Sequence, residues 1–403
     1  MKVVVIGAGP SGLVVASECA KNGHNVILLD KNEKVGKKLY ITGKGRCNVT
    51  NNCDCLSFLN NVVNNSKFLY GSIFAFTPQD TVELFENNGC KLKTERGNRV
   101  FPISDKSSDI IKTLKDECSK NNVQILLNEE VIDCYKNNEL FYVKTKNSNY
   151  TSDALVICTG GMSYKATGSN GFGYKLAKKF GHTIISPVPA LCPIQLKDTW
   201  VKSIEGLSLK NVQLCAYSNN KLVRTEFGEM LFTKNGISGP IALTISSYIN
   251  RLQNVSLSLD FKPALTNEKL ENRLLREFDA NKNSQISSVI KNLLPRNLVP
   301  IFLKQCKIDE TKKCNSITIE ERRTIVTHLK NFVLNFDRLY DIDYAIITSG
   351  GVSTKEINPK TMESKIVPNL FFAGEILDVD ALTGGFNIQI AISTAMSASK
   401  GVR

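Results

Sequence analysis

A glycine cluster near the start of the chain, GAGPSG at residues 7–12, holds the residues best suited to binding a ligand. Its spacing is typical of a turn that binds a pyrophosphate. The first glycine permits a tight turn, the second lets the backbone approach the phosphates, and the third lets a helix pack closely on a strand. The motif has this meaning only between a strand and a helix, so the flanking segments decide its interpretation.

The segments on both sides of the cluster have the required patterns. Residues 3–6 are a β-branched run that predicts a buried strand, and apolar residues recur at helical spacing over residues 10–22. A second buried strand over residues 26–29 ends at Asp30, whose carboxylate can hold a ribose hydroxyl. Strand, helix and strand form a βαβ unit with parallel pairing, which predicts dinucleotide binding. The alternative is a glycine turn that holds no ligand.

Further elements follow along the first half of the chain. Residues 31–52 are rich in Gly, Lys and Asn and read as a long loop, which in a compact domain is usually functional. Periodicity and turn residues then predict helices over 78–89, 107–121 and 172–180, and strands over 123–127, 130–135, 140–145 and 153–158.

A change of pattern near residue 187 indicates a domain boundary, because Pro187, Pro189 and Pro193 are expected to break regular structure. Beyond it, residues 207–217, 221–228 and 254–261 read as strands, residues 266–332 as a helical insert, and residues 386–400 as an apolar helix. We therefore expect a discontinuous first domain, residues 1–188 and 344–403, and an inserted domain, residues 189–343.

The composition limits the class of protein. The chain of 403 residues carries a net charge of +13, twelve cysteines and three histidines, without a pair of Cys-x-x-Cys units. We therefore expect no metal site, and no run approaches the ~20 apolar residues of a membrane span. We expect a cytoplasmic protein with reduced thiols. The positive charge attracts anions, but the lysines are dispersed, which indicates a solubilising surface and does not favour nucleic acid as a partner.

Two further motifs accompany the glycine cluster. Residues 36–51 read GKKLYITGKGRCNVTN, and residues 370–389 read LFFAGEILDVDALTGGFNIQ. Matching pieces also occur at residues 159–161, 168–174, 228–233, 236–240 and 359–365. Together these segments resemble a bacterial family of NAD(P)/FAD-dependent oxidoreductases that includes aminoacetone-oxidase-like proteins and a dehydro-bile-acid reductase. The resemblance covers nearly the whole chain.

The resemblance implies an α/β fold: a discontinuous, glutathione-reductase-like FAD-binding Rossmann domain with an inserted β-rich substrate domain that carries a helical subdomain. It implies that Gly374 and Glu375 lie at the ribityl and phosphate part of FAD. It also implies a helix that starts near Gly385 and directs its positive end at the flavin, which favours the anionic reduced ring. With the glycine cluster, it predicts these FAD-binding residues: Gly7, Gly9, Pro10, Ser11, Gly12, Asp30, Lys31, Lys38, Gly43, Gly45, Arg46, Cys47, Asn48, Thr50, Val131, Thr159, Gly160, Gly161, Gly374, Glu375, Asp380, Gly384, Gly385, Phe386, Asn387 and Ile388.

Some positions depart from the family pattern. Lys44 stands where a third glycine is usual, Asp30 is shorter than the common glutamate, and Ala381-Leu382 replaces a glycine-containing turn. Arg46, in the same loop as Lys44, is expected to face the flavin or the pyrophosphate, the alternative being a surface arginine. None of these departures removes the cofactor interpretation.

We predict an FAD-dependent oxidoreductase that transfers a hydride through flavin N5 between a small organic substrate and NAD(P)H or O2. NAD(P)H is a candidate transient co-substrate, because the chain has no second GxGxxG motif. No residue is assigned as catalytic. Tyr164, His182 and Glu229 are acid–base candidates by residue type, and a packing or surface role is the stronger interpretation for each.

Three alternatives stay open. The charge of +13 favours a flavoprotein that acts on tRNA, and a flavin-bound protein without turnover is a second alternative. The third is a disulfide reductase, which uses a Cys-x4-Cys pair. Here five residues separate Cys47 from Cys53, and no histidine follows His328 to act as the base. The sequence indicates neither the substrate nor the oligomeric state.

Overall fold

The computed structural model describes residues 1–403. Its strands, in chain order, are β1 (Lys2–Ile6), β2 (Asn25–Leu29), β3 (Thr50–Asn51), β4 (Val62–Asn64), β5 (Leu92–Glu95), β6 (Arg99–Pro102), β7 (Gln124–Leu126), β8 (Val131–Asn137), β9 (Leu140–Thr145), β10 (Asn149–Ser152), β11 (Ala154–Ile157), β12 (Ile184–Ala190), β13 (Ile194–Leu196), β14 (Ser208–Ser218), β15 (Lys221–Thr233), β16 (Gly236–Ser238), β17 (Val255–Asp260), β18 (Phe332–Leu334), β19 (Phe336–Leu339), β20 (Ile347–Val352), β21 (Leu370–Phe372) and β22 (Asp380–Ala381).

The α-helices, in chain order, are α1 (Pro10–Lys21), α2 (Lys37–Ile41), α3 (Cys55–Leu59), α4 (Tyr70–Ala75), α5 (Pro78–Asn87), α6 (Ser107–Lys120), α7 (Phe172–Lys179), α8 (Pro240–Ile249), α9 (Asn267–Ala280), α10 (Ile286–Ile290), α11 (Val299–Gln305), α12 (Ile319–Lys330) and α13 (Phe386–Gly401). The chain forms two units. Unit 1 comprises Met1–Ala190 and Ile342–Arg403, and unit 2 comprises Leu191–Asp341.

The central sheet of unit 1 has the strand order β21-β11-β1-β2-β7, with every neighbouring pair parallel. Strand β1 lies in the middle, with Val4 opposite Leu155 of β11 and Ile27 of β2. A strand buried on both faces must be apolar throughout, and Val3 to Val5 are completely buried. The predicted βαβ unit and parallel sheet are therefore confirmed.

Helices α1 and α13 pack against each other in the core of unit 1. Helix α13 is buried on nearly all sides, which small residues such as Ala395 and Ala398 make possible. Two of its buried hydroxyl groups have partners: Thr394 donates to Ile390 O in the same helix, and Ser393 donates to Phe76 O before α5. The helix predicted over 386–400 is therefore a core element.

Two expectations for unit 1 are wrong. Residues 31–52 do not form one irregular loop, because they contain α2, a 3-10 turn at Thr42–Gly45 and β3. Pro187 and Pro189 do not interrupt regular structure, since both belong to β12, which pairs antiparallel with β20. Proline is tolerated there because this sheet has only two strands and the register shifts between Ile185 and Val188.

Unit 2 has a seven-stranded antiparallel sheet with the order β18-β17-β14-β15-β16-β13-β19. One face buries Leu214, Leu257 and Phe232 among the side chains of its own core. The predicted helical insert corresponds to α9 to α12, and the strand predicted over 221–228 extends to Thr233. That unit 2 shapes a substrate pocket stays a prediction.

Among the helices of this structure, none combines the length and the apolar character that crossing a membrane requires.

Candidate functional site

The glycine cluster forms the turn between β1 and α1. Gly7 has φ +103°, and a methyl group added there would lie 2.6 Å from Cys158 O. A methyl group on Gly12 would lie 1.8 Å from Gly7 O, so a side chain at either position displaces backbone. A methyl group on Gly9 would meet no protein atom within 4 Å. The space beside Gly9 is therefore open to a ligand, whereas Gly7 and Gly12 hold the strand against the helix.

The N-terminus of α1 has hydrogen-bond donors to offer. No side chain caps it, and its first internal bond runs from Leu13 N–H to Gly9 O at 3.0 Å. The N–H groups of Ser11 and Gly12 thus lack partners within the helix, while Pro10 has no N–H. Free N–H groups and a positive dipole make such a terminus a binding place for phosphate.

Asp30 ends β2, as predicted, and its carboxylate ties two loops together. Oδ2 accepts the N–H of Ala8 at 2.7 Å, and Oδ1 accepts the N–H of Asn32 at 2.8 Å. These bonds fix the glycine turn relative to the loop after β2. The predicted contact of Asp30 with a ribose, and that of its neighbour Lys31, stay predictions.

Glu375 follows β21 and joins three segments that are far apart in sequence. Its carboxylate accepts from Lys38 Nζ at 2.6 and 2.9 Å, from Ser163 Oγ at 3.3 Å and from Thr348 N–H at 3.0 Å. Gly161 lies against both Thr348 and Glu375. A methyl group added to Gly161 would be 2.4 Å from Thr348 Oγ1 and 3.2 Å from the carboxyl carbon of Glu375. Sequence reasoning named Glu375, Lys38 and Gly161 but missed Ser163 and Thr348, which carry no local motif.

The N-terminus of α13 is held by the short strand β3. A methyl group on Gly385 would lie 2.3 Å from Thr50 O, and Thr50 Oγ1 donates to Gln389 Oε1 at 2.6 Å. The Asn51 side-chain amide donates to Gly384 O at 3.0 Å. As in α1, no side chain caps the helix, and Gln389 N–H makes the first internal bond, to Gly385 O at 3.1 Å. Unpaired N–H groups are therefore available at residues 386–388.

The segment before α13 is ordered by two amide side chains. Asn387 accepts from Ala381 N–H at 3.0 Å and donates to Ala381 O at 2.8 Å. Asn64 donates to Asp380 Oδ1 at 2.6 Å, and Asp380 is 1% exposed. These bonds organise the turn at Ala381-Leu382 in place of the glycine that its sequence lacks. Asn51, Asn64 and Gln389 were not predicted as site residues.

Arg46 lies over an aromatic ring and between two acids. Its guanidinium carbon is 4.2 Å from the centre of the Phe101 ring. Nε donates to Asp105 at 2.8 Å, and the guanidinium also pairs with Glu95. The hydrogen bond from Arg46 lowers the pKa of the Glu95 carboxyl. Lys44, two residues earlier, is exposed with φ +59°. The predicted contact of Arg46 with FAD stays a prediction.

Comparison with known proteins matches residues 1–401 to the family described as HI0933-like protein Rossmann domain. The chain belongs to this family. The ribosomal RNA dihydrouridine synthase of Haemophilus influenzae is 30% identical over 407 residues, 99% of this chain and 98% of the relative. The protein of that name from Escherichia coli is 29% identical over 398 residues, 98% and 96% of the two chains.

A third relative of this HI0933-like protein is the 3-dehydro-bile acid delta(4,6)-reductase of Clostridium scindens, 27% identical over 413 residues, 99% of this chain and 98% of the relative. Among solved structures, the 3-ketosteroid delta1-dehydrogenase of Sterolibacterium denitrificans has a TM-score of 0.51 at 11% identity. It covers 99% of this chain and 98% of that chain and shares the fold. The predicted fold class and the resemblance to a flavoprotein oxidoreductase family are confirmed.

The residues of this HI0933-like protein fit FAD. Thr159 Oγ1 and Asn48 Oδ1, both in predicted contacts, are buried without a hydrogen-bond partner. A buried polar atom without a partner is costly, and the polar atoms of a bound dinucleotide would satisfy both. The open space at Gly9 and the free N–H groups of α1 suit a pyrophosphate. The other predicted contacts, including buried Val131 on β8, stay predictions.

The cysteine residues do not have the character of a redox pair. Burial raises the pKa of the Cys47 thiol to about 12, and burial raises that of Cys53 to about 11. A thiol attacks a disulfide as its thiolate, which neither residue supplies near neutral pH. The disulfide reductase alternative is therefore disfavoured in this HI0933-like protein.

His182 occupies a packing position. The residue is 2% exposed. Its ring lies 4.9 Å from the Phe372 ring, and Nε2 forms a hydrogen bond with Ser364 Oγ at 2.8 Å. Burial lowers the pKa of His182, although Glu356 stands 3.3 Å from Nδ1. Tyr164 is partly exposed at a left-handed turn in unit 1, and Glu229 is exposed in unit 2.

Proposed function

We propose that this protein is an FAD-dependent reductase that converts a uridine of ribosomal RNA into dihydrouridine. The observation that carries the proposal is the match of 98–99% of the chain to two ribosomal RNA dihydrouridine synthases at 29–30% identity. The net charge of +13 supports it, because RNA is a polyanion. Sequence reasoning placed a small organic substrate first and a flavoprotein acting on tRNA among the alternatives; the two ribosomal RNA relatives support an RNA substrate instead.

Dihydrouridine differs from uridine by two hydrogens across the C5–C6 bond, so the reaction adds one hydride and one proton. When bound, FAD supplies the hydride. The N-terminus of α1 would hold the pyrophosphate of FAD, and Glu375, fixed by Lys38, would bind the ribityl and phosphate part. The N–H groups at residues 386–388 would favour a negative charge on the ring of a bound flavin.

We propose NAD(P)H as the source of electrons. The chain has one dinucleotide fingerprint, at residues 7–12, so the nicotinamide donor would bind transiently rather than in a second Rossmann domain. Each turnover then oxidises one NAD(P)H and reduces one carbon–carbon double bond.

A second candidate is the reduction of a carbon–carbon double bond in a small enone. The 27% identity to the 3-dehydro-bile acid delta(4,6)-reductase over 99% of the chain supports it. Both candidates use the same chemistry, a hydride and a proton added across a double bond, and they differ in the substrate that must be held.

The test starts with the purified protein loaded with FAD and kept free of oxygen. NADH or NADPH is added and the flavin absorbance is followed. Ribosomal RNA from cells that lack the gene for this protein is then supplied, and the nucleosides of that RNA are analysed by mass spectrometry. We expect bleaching by one donor and reoxidation on RNA with one dihydrouridine formed per flavin reoxidised.

Other outcomes are equally informative. Reoxidation by a 3-keto-4,6-diene steroid but not by RNA would favour the small-molecule candidate. Flavin bands that persist with both donors and all substrates would indicate FAD binding without turnover. Failure to bind FAD at all would contradict the proposed function in both forms.

A further inference from the structure

The hairpin formed by β5 and β6 has a basic, exposed turn. We call residues 96–99, Arg96-Gly97-Asn98-Arg99, the basic hairpin tip. All four residues are exposed. Gly97 has φ +76° and Asn98 φ +58°, left-handed conformations that a tight turn requires and that glycine and asparagine tolerate best.

The two arginines of the basic hairpin tip have no acidic partner. Two neighbouring cations are neutralised: Lys93 pairs with Asp105 at 2.7 Å, and Arg46 pairs with both Asp105 and Glu95. Arg96 and Arg99 form no ion pair, and the Nε–H of Arg99 donates only to Arg96 O, at 3.0 Å. An unpaired guanidinium presents planar donors suited to phosphate oxygens.

The basic hairpin tip lies one amide group away from the N-terminus of α13. The side-chain nitrogen of Asn51 donates both to Gly97 O at 3.1 Å and to Gly384 O at 3.0 Å. The backbone N–H of Asn52 also donates to Asn98 O at 2.7 Å. Two successive residues of the chain thus hold the tip beside the helix terminus that we assign to the flavin.

We propose that the basic hairpin tip binds phosphates of the RNA that flank the uridine being reduced. This inference rests on the proposed function. A base that reaches the flavin leaves its neighbouring phosphates close to the same helix terminus, beside which Asn51 holds the tip that carries Arg96 and Arg99. Contacts to phosphates set position and affinity without reading sequence, so flexible, exposed arginines are sufficient.

The phosphates of FAD are a less suitable partner for this tip. The unpaired N–H groups for a pyrophosphate lie at the start of α1, next to Gly9, and Arg46 and Lys93 beside the basic hairpin tip already pair with Asp105. An NADPH phosphate is the competing ligand, and the experiment separates it from RNA.

The test uses the full-length protein loaded with FAD, with the variant R96Q/R99Q. The steady-state rate of dihydrouridine formation is measured against the concentration of ribosomal RNA at several KCl concentrations. We expect KM for RNA to rise about tenfold with kcat nearly unchanged. The slope of log(kcat/KM) against log[KCl] should become shallower by about 1 to 1.5, since each lost phosphate contact contributes roughly 0.7 for a single strand.

Two matched variants control for charge and for folding. K112Q/K115Q removes two exposed lysines from α6 and should leave KM for RNA unchanged. R96K/R99K keeps the charges and should recover most of the affinity. The flavin absorbance spectrum and the rate of flavin reduction by NADPH without RNA should be the same in all variants.

Three results would overturn the inference. A KM for RNA within twofold of the wild-type value in R96Q/R99Q would contradict it while leaving the proposed function intact. A rise in KM for NADPH alone would assign the tip to the nicotinamide donor. If the wild-type protein forms no dihydrouridine, the proposed function fails first and the inference with it.

Discussion

The N-termini of α1 and α13 offer the same chemistry and are constructed differently. Both helices start after glycine, neither has a side-chain cap, and both leave N–H groups for a ligand. Helix α1 follows the central strand directly, so its turn is defined by residues 7–12 alone. Helix α13 begins after an irregular segment and depends on Thr50 and Asn51, more than 330 residues away in the chain. We call the start of α1, residues 7–12, the local site. We call the start of α13, with Thr50 and Asn51, the assembled site.

The largest effect is expected from the local site. In G12A the new methyl group lies 1.8 Å from Gly7 O, where α1 packs against the central strand β1. We expect an overpacking cost of about 1–3 kcal/mol in unfolding free energy and loss of most bound FAD. Chemical unfolding and the flavin-to-protein absorbance ratio measure both.

G9A is the control for that experiment. No protein atom lies within 4 Å of its methyl group, so the apoprotein should unfold as the wild type does while FAD binding falls. Full FAD content in both G9A and G12A would contradict the assignment of this turn to the pyrophosphate.

The assembled site should respond less steeply. In G385A the methyl group lies 2.3 Å from Thr50 O at φ +95°, which we expect to cost about 1–3 kcal/mol. Because two-residue β3 can shift, FAD binding should weaken several-fold rather than disappear. Titration of apoprotein with FAD measures this change.

G23A separates backbone strain from contact. Gly23 has φ +85° but open space around its added methyl group, so it should lose stability without losing FAD affinity. Equal FAD affinity in G385A and G23A would show that the contact with β3 does not organise the start of α13.

The segment that follows β21 lies against both α1 and α13, and Glu375 tests what that segment contributes. A methyl group on the preceding Gly374 would lie 2.1 Å from Ser11 Oγ of α1 and 3.7 Å from Ala391 of α13. In E375Q, Lys38 loses the carboxylate with which it forms an ion pair. The side chains of Lys38 and Glu375 are each only 21% exposed, so water replaces that carboxylate poorly. We expect a loss of about 1–3 kcal/mol, measured by chemical unfolding.

The control for E375Q is an exposed ion pair in the segment after β2 that also carries Lys38. Glu33 lies 3.1 Å from Lys37, with the Glu33 side chain 55% exposed, so E33Q should change stability by less than about 0.5 kcal/mol. Equal effects of E33Q and E375Q would mean that Glu375 adds no more than a surface ion pair.

The smallest effect concerns His182, which packs on Phe372 of β21. Burial lowers the pKa of His182 in the folded protein below its ordinary value of 6.5. As the pH falls through 6.5, the unfolded state therefore binds a proton that the folded state does not yet bind. Stability should therefore fall as the pH drops from 7 to 5, and H182Q should show a flatter profile of melting temperature against pH.

H24Q is the matched variant for this prediction, since His24 lies partly exposed in the turn before β2. It should keep the wild-type pH profile, and FAD content should be unchanged in both variants. A profile in H182Q as steep as that of the wild type would assign the acid sensitivity to other groups.

Sequence reasoning was most successful where the physical cause is local. The strand over residues 3–6, the helix that begins at Pro10 and Asp30 at the end of β2 all follow from periodicity, turn chemistry and spacing. It was wrong for Pro187 and Pro189, because a strand in a two-stranded sheet tolerates a proline that an interior strand would not. No local pattern shows which sheet a segment joins.

By itself, the sequence determined the parallel core, the glycine turn at residues 7–12 and the family, since each depends on residues close together or on motifs in a fixed order. Only the tertiary structure decided the Glu375 cluster, the seating of α13 on β3 and the position of the basic hairpin tip beside it. Those arrangements depend on hydrogen bonds between segments far apart in the chain. The groups that form these hydrogen bonds are single polar side chains brought together by folding. Single residues of this kind produce no periodic pattern in the sequence.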